Sequence, residues 1–339
     1  MNILNLEGTY FVKELKKRGH NVFSIGPFNE CDLKADTLIS PKKLIKILKN
    51  RNFFPDMVLW NDICRLPSVL GFEMLPCVTV GYSIDQYCNP WHIPFFSIFD
   101  AVFVAQKDYV FLFKKEYREQ KIRWLPLFFN PEIAFCNDNE KREIDISFVG
   151  TIEGTINENR KVFLKNFSEY IPVVIKHGNY QKVYSKSKIV LNQSAAGELN
   201  FRIFEAMACG AAVLTEDTGN GLKELFIPEK EILIYKRGNY LDAVKVAQKW
   251  LFSEKLSKLA KAGYEKVKKY HSIDIRVNKI LKLTEKLLYE KFYKWRINNK
   301  NIIFSDIAKS FFFLATDEKI KIPSHFRKIF LEIGNKYKI

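Results

Sequence analysis

The sequence has no cysteine pair at metal-ligand or redox spacing. Cys31, Cys64, Cys77, Cys88, Cys136 and Cys209 are scattered, without a CxxC or a neighbouring histidine cluster. This argues against zinc ribbons and a disulfide framework, and a reduced cytoplasm is the expected compartment. Long apolar runs are missing too: a stretch such as Pro94 to Val104 is broken by Asp100 and is too short to cross a bilayer. The opening MNILNLEGTYFVKEL has no basic n-region and carries Glu7 inside its apolar start, so it is not expected to be a signal peptide. A soluble protein, or at most a peripheral one, is the expectation. Acidic residues are in deficit, with 38 Asp and Glu against 54 Lys and Arg, leaving a net charge of +16. That sign favours phosphate-bearing substrates, anionic lipid headgroups or nucleic acid. A Lys-rich solvated surface explains any single basic run equally well.

What is present points to a folded α/β protein. A hydrophobic fraction of 47% and an aromatic fraction of 14% exclude a disordered or collagen-like chain. The length of 339 residues suffices for two domains, each with its own core. The pattern predicts a strand at Asn2 to Leu6, a turn at Gly8-Thr9, a helix from Tyr10 to Lys17 capped by Gly19, and a strand at Val22 to Ile25. A basic amphipathic helix follows at Lys42 to Lys49, then strands at Met57 to Trp60, Cys77 to Tyr82 and Ala101 to Ala105, a helix at Asp108 to Lys115, and a strand at Ile122 to Leu125. These pieces make a first Rossmann-like domain. Asn61, Asp62, Asp85, Gln86 and Gln106 stand at its strand exits. Asp85 is placed to take a proton from an acceptor hydroxyl, and an Asp capping a turn fits the same position. His20 reads as a helix-end residue, and His92, in the loop CNPWHIPFF, as a histidine packed among aromatics rather than a ligand contact.

Residues 128–142 are rich in Pro, Asn and charge, so the domain change is expected near residue 142. A strand restarts at Ile144 to Val149, ends in Gly150-Thr151, and leads to a helix starting near Glu158 with Arg160 in its first turn. Such a strand, small-residue loop and helix N-terminus offer N–H groups to a phosphate. Strands at Val173 to Ile175 and Ile189 to Leu191 continue the sheet. The stretch from Lys188 to Phe226 then holds two strand-to-helix switches, the recurrent unit of a parallel sheet whose ligands bind at the carboxyl ends of the strands. Asn200 is expected to cap the helix Asn200 to Cys209 through its side-chain oxygen. Phe201, Phe204 and Ala208 would face the sheet. Arg202 and Glu205 share another face, supplying a cation suited to phosphate and a carboxylate able to accept from two vicinal hydroxyls. A plain surface ion pair is the bland alternative. The strand Ala211 to Thr215 precedes the glycine loop Gly219-Asn220-Gly221.

FRIFEAMACGAAVLT, with the glycine loop and Glu224 after it, resembles the donor-binding region of GT-B glycosyltransferases, most closely the spore-maturation CgeB-like group. YSIDQ, FDAVFVAQ, WLPLFFNPE, DISFVGT, SKIVLN and KKYHSIDIRVNKIL extend the likeness over about residues 1 to 285. The resemblance implies an α/β GT-B fold, with two Rossmann-like domains facing a cleft and a helical C-terminal extension. The domains would be residues 1–142 for the acceptor, 143–280 for the nucleotide-sugar donor and 281–339 for the extension. It implies that Glu205 holds the nucleotide ribose and that Glu224 lies near donor hydroxyls. Arg202 and the loop Thr215 to Gly221 would surround the diphosphate, with Gly150 and Thr151 opposite. The family's EX7E motif departs here: its first glutamate falls on Gly197, with Glu198 one step off. The expected activity is a hexosyltransferase-like transfer from a nucleoside-diphosphate sugar to a hydroxyl of a glycan, lipid-linked or protein acceptor, with a role in cell-surface glycan biosynthesis. No cofactor is expected. Because no DxD-like acidic pair sits at a donor loop, no obligate metal is expected either. An inverting reaction would need a base, for which Asp85 is the candidate; a retaining one would not.

Beyond Tyr235 the pattern turns helical, at Tyr240 to Phe252 and Glu254 to Tyr270, and His271 and Arg276 are read as structural. From Leu281 on, 13 Lys and Arg stand against 6 Asp and Glu, interleaved with aromatics. This tail is read first as a cap on the first domain, and otherwise as a protein-acceptor dock or an interfacial helix at the inner face of a membrane. Competing readings are an epimerase of the same architecture, a non-catalytic two-lobed binding protein, and a nucleic-acid binder. The last is disfavoured because the aromatics follow strand and helix patterns rather than forming stacking platforms.

Overall fold

The computed structural model describes residues 1–136, 140–320 and 322–338, so part of the expected boundary segment, residues 137–139, lies outside the described residues. The chain divides into two compact units, residues 1–125 with 277–339, and residues 126–276. Each is built on one fully parallel sheet.

The first unit contains β1 (Asn2–Glu7), α1 (Val12–Lys17), β2 (Asn21–Gly26), β3 (Leu33–Lys34), α2 (Pro41–Asn50), β4 (Met57–Asn61), β5 (Val78–Ser83), α3 (His92–Phe95), β6 (Ala101–Val104) and β7 (Lys121–Trp124). The sheet order is β3-β2-β1-β4-β5-β6-β7. Every strand pair is parallel, for example Leu4 beside Val58 and Leu59 beside Val80. The strand order reverses between β1 and β4. α2 starts as its sequence dictates, with Ser40 accepting from the Lys43 N–H and Pro41 at the first helical position.

Two expectations shift here. The CNPWHIPFF loop forms the short helix α3 and a following 3-10 turn, because Trp91, Phe95, Phe96 and Phe99 all bury around Trp60. The helix expected at Asp108 to Lys115 is a 3-10 helix over Lys107–Phe113. His92 is fully buried among those rings, with Trp60 and Phe96 centroids at 5.8 and 5.3 Å.

The second unit contains β8 (Ile144–Val149), α4 (Glu158–Ser168), β9 (Val174–Lys176), α5 (Gln181–Tyr184), β10 (Ser187–Asn192), α6 (Phe201–Ala208), β11 (Ala212–Glu216), α7 (Leu222–Leu225), β12 (Leu233–Tyr235), α8 (Tyr240–Leu251) and α9 (Leu256–Tyr270). Its order is β12-β11-β10-β8-β9, so the chain reverses direction across the sheet between β8 and β10. Ile146, Phe148, Ile189, Leu191 and Leu214 face α4 and α8 in its core. Arg276, fully buried, donates to the carbonyls of Pro126, Leu127 and Tyr270 at 2.7 to 2.9 Å.

α10 (Ile273–Tyr289) runs across the division at residue 276, and α11 (Tyr293–Asn298), α12 (Lys300–Thr316) and α13 (Ser324–Tyr337) follow. Ile303, Ile307, Phe311, Leu314 and Phe330 enter the same core as Trp60 and Phe72. The basic tail is thus amphipathic because its apolar side is interior to the first unit. Among the described residues no helix is long and apolar enough to cross a membrane.

Candidate functional site

Strand polarity selects the site. In an open parallel sheet the loops leaving adjacent strands on opposite sides at the order reversal open a crevice, and helix N-termini point their N–H groups into it. In the second unit that position lies beyond Val149 and Asn192. A cleft of about 420 Å³ is there, lined by Gly150, Thr151, Arg160, His177, Tyr180, Asn200, Arg202 and Glu205 among others. Larger hollows of about 770 and 800 Å³ exist, but one lies at the amino ends of the strands of this sheet beside Arg142, Lys188 and Gly210, and the other is an apolar groove in the first unit.

Arg202, in the first turn of α6, is fixed. Its Nε donates to the Val149 carbonyl at 3.0 Å and its Nη1 to Asn192 Oδ1 at 2.6 Å. Its guanidinium lies 4.2 Å from the Phe148 ring centroid. Asn192 is aligned in turn by donating to Thr215 Oγ1 at 2.9 Å. Thr215 is fully buried in β11, so it reaches the cleft only through Asn192 rather than by touching a ligand. Arg160 is also buried. It ties the β8 exit to the β10 exit by donating to the Thr151 carbonyl at 2.9 Å and the Gln193 carbonyl at 3.2 Å. It was expected as a helix-start cation; it is a clamp whose charge nevertheless borders the cleft. Gly150 permits this packing, since a Cβ there would run into Arg202 Nη2.

Asn200 has the extended backbone of an N-cap, but its side chain makes no cap hydrogen bond. Its Oδ1 is buried without a partner at the cleft wall, correcting the expected cap. The first turn of α6 therefore keeps its N–H groups uncapped by this side chain. Phe201 also departs from expectation: it is half-buried, lines the cleft and meets Phe128 edge-on at 5.3 Å, while Ile203, Phe204, Ala206 and Met207 bury.

Glu205 is half-buried on the same wall. Burial pushes its carboxyl up to about 7, opposed by the charge of Arg202 and by a hydrogen bond with Tyr180. It is not a plain ion pair, since Arg202 directs Nε and Nη1 at Val149 and Asn192. Tyr180 and His177 come from the β9–α5 connection, which carried no motif in the sequence. Their only signal was a position following a strand exit.

The glycine loop is a backbone device. Gly219, Asn220 and Gly221 have φ of 68°, 49° and 83°, three left-handed residues in a row that only glycine and asparagine adopt at low cost. Asn220 Nδ2 latches the loop to the Gly197 carbonyl at 3.1 Å. Glu224 follows in α7 with an exposed side chain. Gly197 itself has φ of 83°, a left-handed conformation that strains any residue with a β-carbon, and a Cβ there would push aside the exposed Arg237 guanidinium, so a glutamate is disfavoured at this position. Glu198 lines the cleft, but its carboxylate accepts from the Ala195 and Ala196 N–H groups at 3.2 and 2.8 Å. Buried Glu216, missed in the sequence, gathers three exits by accepting from the Ser194 N–H, the Ser194 hydroxyl and the Gly238 N–H. In the first unit, Asp85 accepts from the Tyr87 hydroxyl at 2.8 Å, and its N–H is held by buried Asp62 at 2.6 Å.

Residues 139–282 match a family described as glycosyl transferase-like. The match covers the whole cleft. A sequence comparison with curated proteins finds no match. Among solved structures, the chain is similar to a glycosyltransferase from Rickettsia africae ESF-5, at TM-score 0.62 and 14% identity over 85% of this chain and 98% of that one. It is similar to Anabaena HepE in complex with UDP-glucose, at TM-score 0.61 and 10% identity over 85% and 100%. Sucrose-phosphate synthase from Thermosynechococcus elongatus gives 0.58 and 12% over 86% and 100%. The chain thus has the GT-B fold of glycosyltransferases, two Rossmann-like units with a helical C-terminal region.

Proposed function

We propose that this chain is a glycosyltransferase that takes its sugar from a nucleoside-diphosphate donor held at the β8/β10 reversal of the second unit. The observation that carries this reading is the convergence of the α6 N-terminus, the fixed guanidinium of Arg202 and the half-buried carboxylate of Glu205 on one cleft. The glycosyl transferase-like match over that segment and the UDP-glucose complex of HepE support it.

In this reading the diphosphate lies at the first turn of α6 beside Arg202, with Arg160 adding charge from behind and Gly150 admitting close approach. Glu205 accepts from the vicinal ribose hydroxyls. Glu224 and the loop Gly219 to Gly221 serve the sugar, and the left-handed glycine at position 197 makes that half of the site differ from an EX7E arrangement. As the anomeric C–O bond breaks, negative charge grows on the leaving diphosphate. Arg202, already oriented by Val149 and Asn192, stabilises it without reorganising. No role is proposed for a metal or cofactor. If the reaction inverts, Asp85 is the candidate base. A hydroxyl of a glycan, lipid-linked or protein acceptor, hexosyl transfer, a CgeB-like grouping, a cytoplasmic setting at the inner membrane face and cell-surface glycan assembly are the finer parts of the proposal.

Titration calorimetry and product analysis with UDP-, GDP-, dTDP- and CMP-sugars test it. One of the three diphosphate sugars, and not the monophosphate CMP-sugar, should bind and release its sugar to an acceptor or to water, and anomeric analysis then decides whether Asp85→Asn is silent or inactivating. Binding by none of the four, or a C-2 or C-4 epimer as the sole product, overturns the reading. Gly150→Ala should weaken the bound donor about tenfold, because the added methyl displaces a charged donor whose hydrogen bonds are each worth roughly 1.5–3 kcal/mol. Calorimetry on that variant checks it directly.

A further inference from the structure

Two thiols face each other on the strand-exit rim of the first unit. Cys64 follows β4 and Cys88 follows β5, and their Sγ atoms are 3.5 Å apart. One buried carboxylate brings them together. Asp62 Oδ1 accepts from the Cys64 N–H at 2.9 Å, while its Oδ2 accepts from the N–H groups of Ile84 and Asp85 at 2.9 and 2.6 Å. Asn89 Nδ2 donates to both sulfurs at 3.4 Å, and Cys88 Sγ lies 3.2 Å from the Asp85 carbonyl oxygen, the competing acceptor for its one proton. Cys64 is exposed and held at φ of 54°, a left-handed conformation uncommon for a residue with a β-carbon. Cys31, Cys77 and Cys209 are buried, and Cys136 is half-buried.

We propose that Cys64 and Cys88 form a thiol–disulfide modification site, closed by exchange with a small disulfide such as glutathione disulfide. The Cys64 thiolate attacks one glutathione sulfur, making a mixed disulfide and expelling a glutathione thiolate. Cys88 gives its proton to solvent and attacks the Cys64 sulfur, forming the internal bond and expelling the second glutathione. Two protein thiols are oxidised and one external disulfide is reduced to two thiols. Cys64 is the attacking group on grounds of exposure. The hydrogen bond from Cys88 also pulls its thiol down to about 7, with Asn89 assisting and burial and Asp62 opposing, while Cys88 is pushed up. The bond would tie the loop after β4 to the loop that carries Asp85 and Tyr87.

The full chain, equilibrated in glutathione buffers of graded ratio, acid-quenched, alkylated and digested, gives the test. Mass spectrometry should show a peptide linking Cys64 to Cys88, lighter by two hydrogens and reversed by dithiothreitol, at ratios that leave Cys31, Cys77, Cys136 and Cys209 as thiols. Persistent glutathione adducts on Cys64 without closure, or oxidation spread over all six cysteines, overturn the proposal. Cys88→Ala removes the thiol donor, so alkylation of Cys64 by iodoacetamide at pH 7 should slow about threefold, the lost thiolate fraction being partly offset by higher intrinsic nucleophilicity. An unchanged rate in a variant with native far-UV dichroism overturns the coupling.

Discussion

Glu205→Gln should bind a nucleotide sugar more weakly than the parent chain at pH 8 and yet be more stable without ligand. Burial raises this carboxyl from 4.5 to about 7. Between those values the folded chain keeps a proton that the unfolded chain has released. Stability tied to the group is therefore intact below pH 4.5 and lost as pH rises through 7. Above that, keeping the carboxylate ionised costs at most about 3 kcal/mol, which glutamine does not incur. The ligand has the opposite requirement, because vicinal hydroxyls donate best to the ionised form. A nucleotide sugar carries a diphosphate diester that does not titrate in this range, so any pH dependence belongs to the protein. Its affinity for the parent should fall roughly 30-fold from pH 8 to 5.5, and the glutamine variant should not show that fall. Calorimetry at both pH values and urea unfolding without ligand give the two halves. A variant weakened in both binding and stability would mean that Glu205 is structural, and a parent with a flat profile would mean that its carboxylate does not meet the nucleotide.

The opposed signs explain why this site was legible in outline and not in detail. Arg202 and Glu205 stand three apart on a helix that opens after a buried strand, and that spacing can be read from a string of letters. What each side chain does with its hydrogen bonds depends on neighbours supplied by parallel register. Thr215 and Asn192 are 23 residues apart, and their contact follows from β10 pairing with β11. That contact turns Thr215 into a support for Arg202. Arg160 looked like a free cation because the Gln193 and Thr151 carbonyls it clamps belong to other loops. Asn200 failed as a cap for a related reason: residue type and backbone angle were right, yet its side chain lines the cleft. Gly197 was readable as a departure, and its left-handed φ of 83° supplies a physical cause. The central strands were legible because fully buried parallel strands are short apolar runs bounded by polar exits, whereas β3 and β12, two and three residues long, carried no such run. The loop holding His92 was not, since its aromatics bury on every side and leave no period to detect.

Asp100→Ala should be the most damaging single change outside the cleft, with a loss of about 3–5 kcal/mol in unfolding free energy. In the sequence Asp100 only interrupted an apolar run. In the fold it is fully buried at the start of β6, with Arg118 Nη2 at 2.5 Å from one oxygen and Arg296 Nη2 at 3.3 Å from the other. Both guanidiniums are buried. Arg296 also donates to the Cys77 carbonyl at 2.6 Å, and Arg118 lies 4.9 Å from the Trp295 ring centroid. The aspartate thus joins α11 of the C-terminal segment to the sheet across 196 residues of sequence. Deleting it strands two cations in the interior, and their desolvation is then uncompensated. Arg296→Met should be milder, because Asp100 keeps Arg118 and the Thr79 N–H at 2.9 Å. Replacing Asp100, Arg118 and Arg296 together by apolar residues of similar volume should recover most of the loss, since no charge is then left unpaired. Urea unfolding of the three variants gives the ordering. An Asp100→Ala variant within about 1 kcal/mol of the parent would place these guanidiniums in contact with water and remove the link between α11 and β6 as a source of stability.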